Sequence, residues 1–403
     1  MTRTSRSLVA LARTAVLGAA VLGAAAMPAS GDVLFEDDFD ADSTANWTVN
    51  PGPGDHFADF FFDYSAVAIP PAPNSAGTTR GLKVSANLVS GVFTGFSVSP
   101  TGQSFEGNYE LRFDMWINFT GPAPQGAIGS TQLTGAGVRT GGVTAQWAGG
   151  EHDSVWFGVT GDGGSAVDYR AVSPDDQVPY AAESGVYAAG TDSDARNASH
   201  PYYAGLGGAS PPPAQTALYP QQTGAAGPGA PAFAWRDVRI VRIGNTITWS
   251  IDGLPIATVD AGALTLGGDN IVLLYSDTNA SSSTDPDAGD LLFGLFDNVR
   301  VTTLPDTSID GVLEFFDESV TDGTLTGSGP GGSAAGRLGA LQNKLEAAMA
   351  LIEAGDIVGA CTELNGAYLR TDGAHPPPDF VEGETAEELA ALIQALMDDL
   401  GCP

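Results

Sequence analysis

Residues 235–260, WRDVRIVRIGNTITWSIDGLPIATVD, decide how this chain is read. Val238 and Ile240 alternate with Arg239, and Ile247, Trp249 and Ile251 alternate with Thr248 and Ser250. A period of two puts the apolar set on one face of a half-buried strand. Gly244-Asn245 and Asp252-Gly253 fall between the runs, where tight turns need residues that accept positive φ. Strand, turn, strand, turn, strand predicts two hairpins in series within an antiparallel sheet.

The same period extends outward. Residues 108–119 place Tyr109, Leu111, Phe113, Met115, Ile117 and Phe119 on one face, and Glu110, Arg112, Asp114, Trp116 and Asn118 on the other. Further strands are expected at 33–40, 81–88, 92–98, 138–147, 154–159, 271–275 and 291–303. Such a set suits a sandwich of two curved sheets. Residues 161–231 break the pattern: they are rich in Ala, Gly, Pro, Asp and Tyr with little periodicity. A connection of that length is functional or disordered, and its tyrosines can pack.

Past residue 305 the period changes to about 3.6. Leu338, Leu341, Leu345, Met349 and Ile352 form one stripe; Ile357, Cys361, Leu364 and Tyr368 a second; Leu389, Ile393, Leu396 and Leu400 a third. Residues 308–320 predict a further helix, Asp356 an N-cap, and Thr385–Glu388 a capping box. The expected organisation is a secretory leader over 1–31, a β-sandwich over 32–305 with the long insertion at 161–231, and a helical bundle over 306–403.

The leader reading rests on Arg3, Arg6 and Arg13 before an apolar stretch at 14–27, with small-residue cleavage candidates at Ala24-Ala25-Ala26 and Ala29-Ser30-Gly31. That stretch is shorter than the ~20 residues that span a bilayer, so no membrane span is expected. The expected location is secreted, or at the cell surface or periplasm. Cys361 and Cys402 are the two cysteines, and in an exported chain an isolated pair predicts one disulfide. The formal charge of −32 repels phosphate backbones and excludes nucleic acid as a partner.

LFEDDFD at 34–40, the stretch at 235–257 and FDNVRV at 296–301 resemble bacterial laminin-G and concanavalin A-like lectin/glucanase domains over about 33–303. The resemblance implies a jelly-roll sandwich whose relatives bind carbohydrate, adhere to surfaces or cleave glycans. LQNKLEAAMALIEAGDIVGACTELNGAY at 341–368 and LIQALMDDLGCP at 392–403 resemble the small helical FIMAH domains of bacterial surface and secreted proteins. That implies a role in extracellular attachment.

The fold class is therefore expected to be mainly β, a concanavalin A-like jelly roll with a small C-terminal α-helical bundle. No G-x-S-x-G, HExxH or CxxC occurs, and Glu110-Leu111-Arg112-Phe113-Asp114 lacks the spacing of a glucanase carboxylate pair. The expected function is a non-enzymatic glycan- or surface-binding protein. The alternatives are a polysaccharide-active hydrolase or lyase on the same fold, or a structural adhesive protein. Trp116 and Trp156 lie out of phase with their apolar neighbours and are the candidate ligand platform; the competing reading packs them under 161–231. Calcium favours irregular oxygen-rich loops, and Asp38, Asp40 and Asp297 are the candidate structural site, with Asp285, Asp287 and Asp290 a second set.

Overall fold

The computed structural model describes residues 31–120, 131–174, 185–190, 192–277, 279–304, 306–374 and 377–402. The expected leader lies outside them. The first strands are β1 (Val33–Asp37), β2 (Trp47–Pro51), β3 (His56–Asp63), β4 (Arg80–Ala86) and β5 (Thr94–Pro100). There follow β6 (Tyr109–Asn118), β7 (Gln132–Thr140), β8 (Val155–Thr160), β9 (Tyr169–Val172), β10 (Val186–Tyr187) and a short helix α1 (Pro213–Leu218). The set closes with β11 (Arg236–Ile243), β12 (Thr246–Ile251), β13 (Leu254–Asp260), β14 (Asn270–Asp277), α2 (Ala288–Leu291) and β15 (Phe293–Thr303).

Among the described residues these strands make two antiparallel sheets. One has nine strands in the order β10-β13-β12-β11-β6-β15-β4-β3, with β1 also on β15; the other has six, β2-β5-β14-β7-β8-β9. The chain is thus a mainly β sandwich of jelly-roll type with a C-terminal helical segment. Inward faces meet in one core. Phe96, Val98, Phe157, Leu273 and Tyr275 of the smaller sheet lie in one buried cluster with Leu111, Ile240, Ile247, Ile251 and Phe296 of the larger. Trp249 stacks on Phe157 across the two layers, with ring centroids 5.4 Å apart.

Residues 235–260 form the expected hairpins. Val238 pairs with Ile251 and Ile240 with Trp249, and Trp249 pairs onward with Ala257. Asp252 and Gly253 both have positive φ, 52° and 76°, the twist that joins two adjacent strands through a two-residue turn. The first and last strands lie side by side, as a jelly roll requires: Glu36 is opposite Arg300.

Two segments differ from the sequence expectation. The strand expected over 138–147 ends at Thr140. Beyond it the chain turns back over the outer face of the six-stranded sheet. There the Gln146 amide donates to Ser97 Oγ at 3.0 Å and the Ala148 amide to Ser276 Oγ at 3.1 Å. That strap is why β5, β7, β8 and β14 are buried along both faces apart from Arg139. The second is 161–231, which contributes β9 to the edge of one sheet and β10 to the edge of the other. Its tyrosines within the described residues pack, as expected; Tyr180 lies outside them. Tyr169 and Tyr203 stack at 3.9 Å, their hydroxyls donate to the Gly229 and Ala195 carbonyls, and Tyr202 donates to Pro255 O at 2.7 Å.

The C-terminal segment consists of α3 (Ile309–Thr321), β16 (Leu325–Gly327), α4 (Gly332–Glu353), α5 (Ile357–Tyr368), β17 (Val381–Gly383) and α6 (Ala386–Asp399). Its core is a separate buried cluster that includes Val312, Phe316, Leu341, Leu345, Leu364 and Ile393. Ser308 caps α3 by accepting from the Gly311 amide, and Asp356 caps α5 through the Gly359 amide. The capping box expected at Thr385 does not form. That hydroxyl turns to Thr324 Oγ1, 3.4 Å away, beside the small β16–β17 pair, which no sequence period announced. Among the described residues no helix is long and apolar enough to cross a membrane.

Cys361 of α5 and Cys402, just past α6, form the expected disulfide across a sequence separation of 41. A cross-link of that span restricts the unfolded chain. Cys361→Ser/Cys402→Ser is expected to destabilise the segment by about 2–4 kcal/mol, measured by urea denaturation. An unchanged midpoint would mean that the bridge adds nothing to this fold.

Candidate ligand-binding cleft

A concavity lies on the outer face of the nine-stranded sheet, and a backbone irregularity creates it. Asp297 is opposite Asp114 and Arg300 is opposite Arg112, so β15 carries one residue more than β6 across that interval. This is a β-bulge, and bulges re-aim side chains. Asn298, at φ 53°, takes the left-handed conformation that Asn tolerates. Its Nδ2 donates to Asp114 Oδ2 at 2.9 Å, and its amide donates to Asp297 Oδ1 at 2.7 Å.

A loop from the other side completes the arrangement. Asn74 donates to Asp114 through its amide at 3.2 Å and through Nδ2 at 2.9 Å. Tyr64 brings this loop down: its hydroxyl lies 3.0 Å from Asp297 Oδ2, and its ring meets Trp235 edge-on at 5.3 Å. Trp235 in turn lies 5.7 Å from Trp116 and donates to Pro70 O at 2.8 Å. The outer side of β6 is therefore covered over its second half.

Two buried carboxylates result, Asp114 at 1% exposure and Asp297 at 0%. Burial raises both above the ordinary aspartate value; three N–H donors oppose the rise at Asp114. Asp297 is pushed up to about 7, mainly by burial, against the Tyr64 and Asn298 hydrogen bonds that lower it, and the charges of Asp114 and Asp40 push in the same direction as burial. The pair is screened from ligand by Asn74 and Asn298, whose side chains occupy the floor above it.

Over that floor opens a cleft of 690 Å³. Glu36, Asp38 and Asp42 line it from the acidic turn, and Arg112 and Arg300 from the sheet. Phe39, buried at φ 55°, anchors the turn against Trp47. Asp37 is committed to the turn itself, accepting from the Trp47 indole at 2.7 Å and the Phe39 amide at 2.9 Å. Asp42 accepts from the Thr44 amide and hydroxyl, which holds its carboxyl below the usual range. Arg112 is forked onto Asp237 at 2.7 and 3.1 Å, and Arg239 pairs with Glu110 at 2.5 Å. Glu110 and Arg112 thus belong to a cross-strand charge ladder, while Asp114 does not.

Trp116 is 2% exposed and Trp156 is 0% exposed, so neither ring is a surface platform. Trp116 is covered by Trp235. Trp156 clusters with Leu133, Ala148, Val172 and Leu274 beneath the 141–153 strap and donates to His152 Nδ1 at 3.1 Å. Burial lowers His152 to about 4, consistent with a neutral ring accepting that bond.

The proposed calcium clip also fails the fit. Among the described residues no three His, Cys, Asp or Glu side chains are gathered to hold a metal ion. Asp38 accepts from the Asp40 amide in its own turn, and Asp297 is sequestered under the bulge. In the second set, Asp285 accepts from the Asp287 amide and caps its own loop.

No protein-family model matches the chain, and no curated protein does. Solved structures with a similar outline include a protein of unknown function with a galectin-like fold from Bacillus subtilis, at 11% identity and TM-score 0.36, covering 69% of this chain and 98% of that one. The Ca²⁺-bound exoplasmic/lumenal domain of VIP36 has 8% identity and TM-score 0.36 over 67% of this chain and 89% of its own. A Bacillus licheniformis β-glucanase has 12% identity and TM-score 0.33 over 67% and 98%. At these values the likeness carries no argument, and the cleft stands on its own geometry.

Proposed function

We propose that this chain is an exported, non-catalytic binding protein whose outer-face cleft takes a polyhydroxylated ligand, a glycan at a cell or matrix surface. The helical segment then serves as the attachment or interaction module. The observation that carries the reading is the make-up of the cleft. Carboxylates that accept from hydroxyls face guanidinium groups that donate to them, over an amide floor fixed by the bulge. The excess of carboxylates disfavours anionic glycans. Glycoside cleavage would need two carboxyl groups reaching the scissile bond, and the adjacent pair here, Asp114 and Asp297, is buried beneath its own amide donors.

The test is a glycan array followed by titration calorimetry. Asp42→Asn and Arg300→Ala change exposed side chains and should cost under about 0.5 kcal/mol of stability. The double variant is expected to bind the selected glycan at least tenfold more weakly, about 1.4 kcal/mol. A wild-type chain that binds no glycan on the array, or a double variant with unchanged affinity, would refute the cleft as the binding site.

A further inference from the structure

A second concavity, of 490 Å³, lies where the 141–153 strap meets the end of β2. At its base is Trp147, 6% exposed, lying edge-on to Phe93 with centroids 5.2 Å apart. Four of the six indoles, those of Trp47, Trp116, Trp156 and Trp235, donate to acceptors in the fold. Neither Trp147 Nε1 nor Trp249 Nε1 has an acceptor among the described residues; Trp249 is stacked in the core, whereas Trp147, more than nine-tenths buried, lines the concavity.

The glycines around it point the same way. Gly52, Gly149 and Gly150 are absent from the positive-φ positions, so backbone conformation does not demand glycine there. Space does. A Cβ at Gly149 would stand 2.6 Å from Trp147 Cζ3, and one at Gly150 2.6 Å from Cδ1 and hard against Nε1. Glycine keeps the pyrrole edge of the ring open to the concavity.

We infer that this is a second binding site, distinct from the outer-face cleft, and that it takes a neutral sugar ring. The N–H requires an acceptor oxygen. Pro51, Pro53 and Ala145 present apolar surface for C–H faces, and Glu151 accepts from a hydroxyl. No basic side chain lines the site, and Glu151 repels an anion. A sugar ring carries acceptor, donor and apolar face together. A proline-rich peptide supplies the carbonyl and the apolar face but no hydroxyl for Glu151.

The experiment follows the indole N–H resonances of the ¹⁵N-labelled full chain. Trp147→Phe, which keeps a ring and removes the N–H, assigns the Trp147 signal. Laminarihexaose, cellohexaose, mannohexaose and N-acetyllactosamine are titrated separately, with decaproline as the competing class. At least one saccharide is expected to shift the Trp147 resonance while leaving the other five in place. Gly150→Val is expected to abolish that shift, and Trp147→Phe to weaken binding by calorimetry about tenfold. The shift should persist in Asp42→Asn/Arg300→Ala, so failure of the outer-face cleft and failure of this site are told apart. A Trp147 resonance that moves with none of the four saccharides, or with decaproline alone, overturns the proposal.

Discussion

Trp156→Ala is expected to destabilise the sandwich by about 3–5 kcal/mol in urea titration, with no ligand present. The indole is enclosed by Leu133, Ala148, Val172 and Leu274, so its removal forfeits transfer free energy and leaves a cavity that the surrounding strands cannot close. It also strips His152 Nδ1 of its donor, inside a region whose burial keeps that ring neutral. A tryptophan exposed as a sugar platform would behave differently, because surface substitutions fall within about 0.5 kcal/mol. Trp156→Phe separates the two components: it keeps most of the packing and loses the hydrogen bond, at a cost of about 1 kcal/mol. A cost below about 1 kcal/mol for Trp156→Ala would mean that the outer face of the six-stranded sheet is open and the strap is not seated.

The same residue shows where sequence stops being informative. Alternation along 154–159 correctly separates Trp156 from Val155, Phe157 and Val159, because side chains on a strand must alternate. It cannot say whether the second face meets solvent. Here it meets a strap without any period, residues 141–153, held by serines projecting from the sheet. Trp116 is the same case under a different cover, Trp235 and the loop of Tyr64. The hairpins of 235–260, the disulfide and most of the C-terminal helices were legible because each depends on local pattern. The cleft was not. It depends on one extra residue in β15 and on Asn74 arriving from a distant loop, and neither leaves a periodic trace. Asp297 shows the limit: residue type marks it as a candidate metal ligand, but the loop of Tyr64 covers its carboxyl on the face it shares with Asp114. Trp147 had a weak signal, the Gly149-Gly150 that follows it, which reads as a turn until the space around the indole is seen.

Asp297 also governs the expected response to pH. The Tyr64 oxygen lies 3.0 Å from Asp297 Oδ2 and 3.2 Å from Thr78 O, and it accepts from the Ala72 amide at 3.1 Å. One hydroxyl hydrogen cannot serve two acceptors at once. If Asp297 is protonated, its acid hydrogen goes to Tyr64 and the Tyr64 hydrogen goes to Thr78, and every group is satisfied. Asp114, with three N–H donors, is the member of the pair suited to carry the charge. The folded chain thus holds a proton on Asp297 up to about pH 7 that an ordinary aspartate releases near 3.8. Stability must fall as pH rises through that window, because the unfolded chain binds fewer protons there. Holding a proton across it is worth of order 4 kcal/mol. Asp277, raised to about 7, and Asp162, raised to about 6, act in the same sense, again chiefly through burial. His152, lowered from 6.5 to about 4, opposes them. The lowered carboxyls of Asp42, Asp55 and Asp63 act below the ordinary aspartate value and outside the window. The balance favours greater stability at pH 5.5 than at pH 8, and relief of repulsion in a chain of net charge −32 adds to it. Asp297→Asn isolates the contribution, since an amide reproduces the neutral acid: Oδ1 accepts from the Asn298 amide and Nδ2 donates to Tyr64. That variant is expected to exceed the wild type already at pH 5.5, and by a wider margin at pH 8, in thermal or urea unfolding. Wild-type and variant profiles that run parallel from pH 5 to 8 would show that Asp297 is ionised in the fold and that the Tyr64 hydrogen already belongs to it.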